Sequence, residues 1–354
     1  MKLAEISTPA VLVDMQVARR NVESFQAYVS GHGLKGRPHI KTHKLPRMAE
    51  LQLDAGAVGI TCQKVSEAEA MAAGSARIRD VLITYNILGP EKLAHLRALA
   101  QKVELAVVAD NAVTIDGLSQ AFAAEGKPLT VLVECNTGAN RCGVGDPSAA
   151  LELAQRIDRA AGLAFGGLMT YPPVGAAARV QSFMTEAKAM IEAAGMEVAT
   201  VSSGGTPDMW KAHEAPIVTE YRAGTYIYND RSLVRRGVCG WDDCALAVHA
   251  TVVSVPAENR AIVDAGSKTL TSDLLGLSGY GQVLGRDDIA IDQLSEEHGR
   301  LVSEGPIGLK VGDRVSIVPN HACVVTNMVD AVYVKPDGGD RYEAWPVAAR
   351  GKIS

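Results

Sequence analysis

The chain has 354 residues, 47% of them hydrophobic, with 34 glycines and only 5% aromatics, the composition of an α/β protein with one large domain and room for a second. A net charge of -5 gives no reason to expect nucleic acid or an anionic membrane as partner. No apolar run reaches the roughly 18 residues of a membrane span, and Met1-Lys2-Leu3-Ala4-Glu5-Ile6-Ser7 lacks a signal-peptide core. The six cysteines show neither CxxC nor disulfide-framework spacing, which predicts reduced thiols in a cytoplasmic protein.

After Thr8-Pro9, Ala10-Val11-Leu12-Val13-Asp14 reads as a strand, and Asp14 is placed to cap a helix whose apolar stripe is Val17, Val22, Phe25 and Val29. From residue 38 a unit repeats: a short apolar strand, a polar or glycine turn, then an amphipathic helix. The strands read as 38–42, 58–63, 81–86, 103–109, 129–134, 165–171, 198–203 and 221–229. Nearly continuous apolar strands belong in a parallel sheet buried on both faces. Eight βα units predict a closed (β/α)8 TIM barrel over 8–240, since a doubly wound open sheet usually stops short of eight strands. Near Cys239-Gly240-Trp241-Asp242 the pattern changes. A long strand-like run at 245–255 ends at Pro256, a glycine-rich stretch surrounds Gly276, Gly279 and Gly281, and further strand-like runs lie at 314–318, 323–326 and 331–334. This predicts a C-terminal β domain over 241–354, completed by the first few residues of the chain.

In such a barrel the carboxyl ends of the strands carry the chemistry. They offer Lys41, Gln63, Asn86, Asp110, Glu134 with Arg141 just beyond, Tyr171, Ser203-Gly204-Gly205-Thr206, and Gly224-Thr225-Tyr226. Glycine turns on the last two strands suit a phosphate, because bare backbone N–H groups can close around it. A lysine on the first strand facing that phosphate points to pyridoxal phosphate held as a Schiff base.

Several stretches then resemble one family. Arg37-Pro38-His39-Ile40-Lys41-Thr42-His43-Lys44 is similar to the lysine motif of the fold-type III pyridoxal enzymes of the D-threonine aldolase and D-serine dehydratase family, which have an alanine racemase-like barrel. Val133-Glu134-Cys135-Asn136-Thr137-Gly138-Ala139-Asn140-Arg141-Cys142-Gly143-Val144 and Ser203-Gly204-Gly205-Thr206-Pro207 also resemble it. So do Arg222-Ala223-Gly224-Thr225-Tyr226, Asp264-Ala265-Gly266-Ser267-Lys268, Leu294-Ser295-Glu296-Glu297-His298-Gly299 and Pro319-Asn320-His321-Ala322-Cys323, in order over essentially the whole chain. The resemblance implies that Lys41 is the Schiff-base lysine, that Arg141 contacts the cofactor's phenolic oxygen, and that Tyr171 lies near the pyridine nitrogen. It implies that Ser203, Gly204, Gly205, Gly224 and Thr225 cradle the phosphate. It also implies a homodimer in which the β domain of one subunit covers the barrel mouth of its partner.

His321-Ala322-Cys323 places two good ligands at i and i+2, on one face of the expected strand. Read alone, a buried thiol beside a histidine is the more frequent explanation of such a pair; the resemblance makes it the family's divalent-metal pair. Cysteine favours zinc, as in the dehydratases, whereas the aldolases more often carry aspartate there and use manganese.

Two reactions on a D-β-hydroxy-α-amino acid follow: aldol cleavage to glycine and an aldehyde, placed first, or dehydration of D-serine or D-3-hydroxyaspartate to a 2-oxo acid and ammonia. Family aldolases are expected to carry a histidine base shortly after the strand-six tyrosine. Tyr171-Pro172-Pro173-Val174-Gly175-Ala176-Ala177 has none. A racemase would need a second base, for which Tyr280 is the candidate, and would leave the His–Cys pair without work. A non-catalytic pyridoxal phosphate carrier would not need the large C-terminal domain. Glu297 and His298 are read as either active-site residues or solvated surface, Asp264 as a brace for the Gly266 turn, and His39 and His43 as hydrogen-bonded neighbours of Lys41. His213 is a marginal pocket candidate, and Cys62, Cys135 and Cys142 are small packing residues near strand ends.

Overall fold

Most of the apolar runs become strands, and these form two sheets in a computed structural model that describes residues 1–354. The first strand, β1 (Ala10–Asp14), joins the second sheet. The next eight are β2 (Lys35–Gly36), β3 (Ile60–Cys62), β4 (Asp80–Ile83), β5 (Glu104–Ala109), β6 (Leu129–Cys135), β7 (Leu163–Thr170), β8 (Thr200–Gly204) and β9 (Glu220–Arg222). They make one parallel sheet in the order β2-β9-β8-β7-β6-β5-β4-β3. The segment 35–39 hydrogen-bonds on both of its sides. Arg37 and His39 N–H groups donate to the Tyr221 and Ala223 carbonyls at 3.0 and 2.8 Å, while the Gly36 and Pro38 carbonyls accept from Val58 and Thr61 at 2.9 and 2.8 Å. The ring therefore closes, and the fold is a (β/α)8 barrel.

Leu82, Val108, Leu132 and Met169, one from each of β4 to β7, pack as a buried apolar layer. Each contributes about 2 kcal/mol by leaving water. Helices follow the strands where the sequence supplies start signals. Asn111 and Asp146 accept the N–H groups of Thr114 and Ala149, each at 2.9 Å, to cap the helices Ala112–Phe122 and Pro147–Arg159. Pro147 occupies the first helical turn, where its missing N–H costs nothing.

The second sheet has nine strands: β1 with β10 (Leu246–Ala257), β11 (Arg260–Val263), β12 (Gly281–Val283), β13 (Ala290–Leu294), β14 (Gly299–Val302), β15 (Arg314–Pro319), β16 (Ala331–Lys335) and β17 (Glu343–Pro346). β1 pairs antiparallel with β10 and parallel with β16. Two compact units result. One is Ser24–Lys41, Leu45–Gly224 and Lys352–Ser354; the other is Met1–Glu23, Thr42–Lys44 and Thr225–Gly351. The β-rich unit thus takes in stretches on the barrel side of a division at residue 240, because β1 supplies a ladder that β10 and β16 need.

Four local expectations are corrected. The strand expected at 38–42 is instead Lys35–Gly36 plus a single bridge from His39 to Thr61, followed by a 3-10 turn at Ile40–Thr42. The Lys41 N–H is taken by His39 Nδ1 at 3.3 Å, so it cannot continue a ladder. The strand expected at 221–229 stops at Arg222, since Gly224 N–H turns to Thr206 Oγ1 at 3.1 Å, and a 3-10 turn occupies Thr225–Ile227. The run at 245–255 does not end at Pro256; β10 continues to Ala257 across two register shifts, where a residue without an N–H is tolerated. The run at 323–326 is helical, within Ala322–Met328. Ala322, Val325 and Thr326 are buried on one helical face and the Asp230 carboxylate accepts the Ala322 N–H at 3.1 Å, so tertiary contacts override the β-branched composition.

Candidate active site

Lys41 stands in the 3-10 turn beyond the first barrel strand, half-buried, its amine engaged in no hydrogen bond or ion pair. His39 Nε2 meets Gln63 Oε1 at 3.1 Å, and Gln63 Nε2 donates to the Thr84 carbonyl at 2.9 Å. His39 is thus a strut of the Lys41 turn. His43 is fully buried, edge-on to Tyr228.

Arg141 lies on the loop after β6, which folds around its own polar atoms. Asn136 Oδ1 accepts the Gly138 and Asn140 N–H groups, each at 3.0 Å, and Asp110 Oδ2 accepts that of Gly143 at 2.8 Å. Gly143 has φ +103°, and a Cβ there would lie 2.6 Å from the Asn136 nitrogen, so only glycine lets the loop close. The result is that the Arg141 guanidinium sits over the Tyr171 ring, 4.6 Å from its centroid. Tyr171 is the first residue beyond β7 and is 40% exposed.

Beneath Arg141, the ligand atoms of Asp110, Glu134 and Cys142 fall within 4.8 Å of one another. Glu134 is buried. Burial pushes its carboxyl up, Arg141 and Arg222 pull it down, and Asp110 pushes it up. Arg141 supplies the positive charge this group of acids needs.

The glycine turns act differently from expectation. Gly205 N–H donates to the Arg222 carbonyl at 3.0 Å and Gly224 N–H to Thr206 Oγ1 at 3.1 Å, so neither amide is bare. These glycines supply room instead. A Cβ at Gly204 would lie 2.2 Å from the Arg222 carbonyl oxygen, and one at Gly205 (φ +137°) would come within 3.7 Å of Tyr171 Cε2. Ser203 is buried as a residue and its hydroxyl makes no hydrogen bond within the chain, which leaves it available to a ligand oxygen. A free amine, an arginine stacked on a phenol, an uncommitted hydroxyl and a turn kept clear of side chains together fit a phosphorylated aromatic aldehyde.

The β-rich unit carries the expected metal pair. His321 precedes the helix Ala322–Met328 and Cys323 is in its first turn, rather than the two alternating along a strand, yet their side chains reach each other. Cys323 Sγ is 3.1 Å from Thr42 Oγ1 and 3.4 Å from Thr225 Oγ1. Asp273, which no sequence pattern picked out, places Oδ2 2.6 Å from His321 Nδ1. That leaves Nε2 of His321 to face a metal. Burial would lower the His321 pKa, but Cys323, Asp273 and Asp230 outweigh it and carry it up to about 9. Imidazole and thiol with an orienting carboxylate are the donor set of a zinc-type site.

The other candidates have the following surroundings. Asp264 accepts the Thr251 N–H at 2.8 Å and the Thr8 hydroxyl at 2.6 Å, bracing two chain segments. Glu297 makes a surface ion pair with Lys268 at 2.7 Å, and His298 is exposed. The Tyr280 N–H joins the Ile291 carbonyl at 3.0 Å. His213 lies against Tyr28, 2.7 Å away, and stacks on His32. The loop lacking the histidine base is fastened by Asp208, whose Oδ2 accepts the Gly175 N–H at 2.6 Å.

Residues 13–232 match the family model described as alanine racemase, N-terminal domain, and residues 245–335 match the putative serine dehydratase domain. The chain is 33% identical to a D-threonine aldolase of Arthrobacter and 34% identical to a 3-hydroxy-D-aspartate aldolase of Paracoccus denitrificans, in each case over 99% of this chain and 94% of the relative. It is 32% identical to a D-threo-3-hydroxyaspartate dehydratase of Delftia over 91% of this chain and 92% of that one. The crystal structure of a D-threonine aldolase from Filomicrobium marinum superposes with a TM-score of 0.93 at 33% identity, covering 100% of this chain and 98% of the other. No helix is long and apolar enough to cross a membrane.

Proposed function

Since the chain belongs to the D-threonine aldolase and D-serine dehydratase family of alanine racemase-like barrels, we propose that it is a pyridoxal phosphate- and divalent metal-dependent aldolase cleaving D-β-hydroxy-α-amino acids to glycine and an aldehyde. The chain is a lyase, and it acts on small amino acids. The observation that carries the reading is the uncommitted Lys41 amine in the same barrel as Arg141 stacked on Tyr171. When bound, the cofactor supplies an electron sink for the carbon at which bonds to the α-position break. Lys41 would hold it covalently, Arg141 and Tyr171 would orient its ring, and the Ser203 hydroxyl with the Gly204, Gly205 and Gly224 turns and Thr225 would receive its phosphate. His321 and Cys323 would hold the metal, which supplies Lewis acidity toward a β-hydroxyl. Cys323 makes zinc the preferred ion and manganese the second. A homodimer is part of this reading.

A second reading, dehydration, is favoured by one specific feature: residues 172–177 contain no histidine to take the hydroxyl proton. The Lys41 amine, once released, would then serve as base for the α-proton. Product analysis separates the two. With pyridoxal phosphate and zinc or manganese, D-threonine and D-3-hydroxyaspartate are expected to yield glycine and an aldehyde. A 2-oxo acid with ammonia, from these or from D-serine, would overturn the aldolase in favour of the dehydratase.

A further inference from the structure

A line of charge, half-exposed at Asp80 and buried from Glu220 to Arg222, runs through the barrel, and the proposed reaction leaves it without a task. Asp80 Oδ1 accepts from Arg37 Nη1 and Glu220 Oε2 accepts from Arg37 Nε, both at 2.6 Å. The Ser202 hydroxyl donates to Glu220 Oε1 at 2.6 Å and accepts from Arg222 Nη1 at 2.5 Å. Arg222 Nη2 then donates to the Thr170 carbonyl at 2.8 Å. Charges alternate along the line, and the only neutral link, Ser202, has its single proton committed to Glu220. Its lone pairs are therefore turned to Arg222. Burial pulls the Arg222 pKa down to about 10, with Glu220 and Glu134 opposing, so the guanidinium stays charged at neutral pH.

The far end of the line is where the candidate ring contacts begin. Thr170 is held a second time through its hydroxyl, which donates to the Cys135 carbonyl at 2.8 Å and meets Thr137 Oγ1 at 2.7 Å. Tyr171 is the first residue beyond β7, and Thr137 lies near the start of the loop that carries Arg141. Both members of the Arg141–Tyr171 stack thus hang from Thr170. Apolar side chains could fill the same interior with equal or greater stability, since desolvating paired charges repays little. A polar layer hydrogen-bonded at each link does, however, favour one geometry.

We propose that Arg222, locked by Ser202 and Glu220, is a positioning residue that sets Thr170 and through it the Arg141–Tyr171 stack against the cofactor ring. This rests on the reading that Lys41 carries pyridoxal phosphate. The experiment compares wild type with Ser202→Ala, Ser202→Thr, Glu220→Gln and, as a control, Lys41→Ala. Far-UV circular dichroism reports folding, borohydride fixation followed by mass spectrometry reports cofactor on Lys41, and titration of the apo-protein reports affinity together with the visible absorbance and its pH dependence. Ser202→Ala and Glu220→Gln are expected to fold and to carry cofactor on Lys41. They should weaken its binding about tenfold, the worth of one hydrogen bond to a charged group, and shift the pH dependence of the absorbance. Ser202→Thr, which keeps the hydroxyl, is expected to behave as wild type. Unchanged affinity and spectra in Ser202→Ala would overturn the proposal whatever Glu220→Gln does, because that variant removes one hydroxyl and no charge. Should Ser202→Ala not fold, the same reading of Glu220→Gln decides. If wild type itself carries no cofactor on Lys41 and matches Lys41→Ala, the cofactor reading has failed rather than the positioning role.

Discussion

At the scale of single residues, Asp273 illustrates how a ligand is prepared. An imidazole has two nitrogens, and a metal can use His321 Nε2 only if the ring is turned correctly and carries its proton on Nδ1. The Asp273 carboxylate 2.6 Å from Nδ1 sets both. Partners of this kind typically change metal affinity by about 10–100-fold, so Asp273→Ala is expected to lose that much, read by competition with a chromophoric chelator. An unchanged affinity would show that Cys323 and the helix Ala322–Met328 orient the ring unaided. Ser203 and Ser202 make a complementary case. They are neighbours on β8 with side chains on opposite faces, one hydroxyl free and the other locked between Glu220 and Arg222.

At the scale of elements, the loop after β6 shows how a turn aims a side chain. Gly143 closes it at φ +103° with backbone 2.6 Å from where a Cβ would stand. Gly143→Ala is therefore expected to cost about 1–3 kcal/mol of stability, measured by urea unfolding, and to weaken cofactor binding because Arg141 leaves the Tyr171 ring. Stability equal to wild type would mean that the loop adapts without strain. The barrel was legible in the sequence because strands buried on both faces are uninterrupted apolar runs with helices between them, as at 103–109 and 129–134. Lys41, Arg141 and Tyr171 were legible because strand ends are where polar residues interrupt those runs. The helix at Ala322–Met328 was not, since Cys-Val-Val-Thr is strand-like composition and the deciding contact, from Asp230, comes from 92 positions earlier. The line from Arg37 to Arg222 was also hidden. Its members, with Asp80, are ordinary polar residues spread over several barrel segments, only Glu220 and Arg222 sharing one strand, and closure of the ring brings the five into one chain of hydrogen bonds.

At the scale of the whole molecule, the candidate cofactor groups and the metal ligands belong to different compact units, with Thr225 the exception on the cofactor side. Lys41, Arg141, Tyr171, Ser203, Gly204, Gly205 and Gly224 fall in the barrel unit, whereas His321, Cys323, Asp273 and Thr225 fall in the β-rich unit. The lysine attachment and the ring contacts therefore draw on no metal ligand, and the metal ligands draw on no residue of the Arg141–Tyr171 stack. A metal held by two protein ligands, a histidine and a thiolate, can be withdrawn by a chelator, which competes with them for the ion. Dialysis against a chelator, or His321→Ala, is expected to suppress turnover while the visible absorbance of the bound cofactor persists. Re-addition of zinc or manganese should restore turnover in the dialysed wild type and not in His321→Ala. Full turnover after chelation would remove the metal from the reaction and leave cleavage to the barrel unit alone. Loss of the cofactor's absorbance together with the metal would instead show that the two sets of groups are coupled, for which the Cys323 contacts with Thr42 and Thr225 are the route.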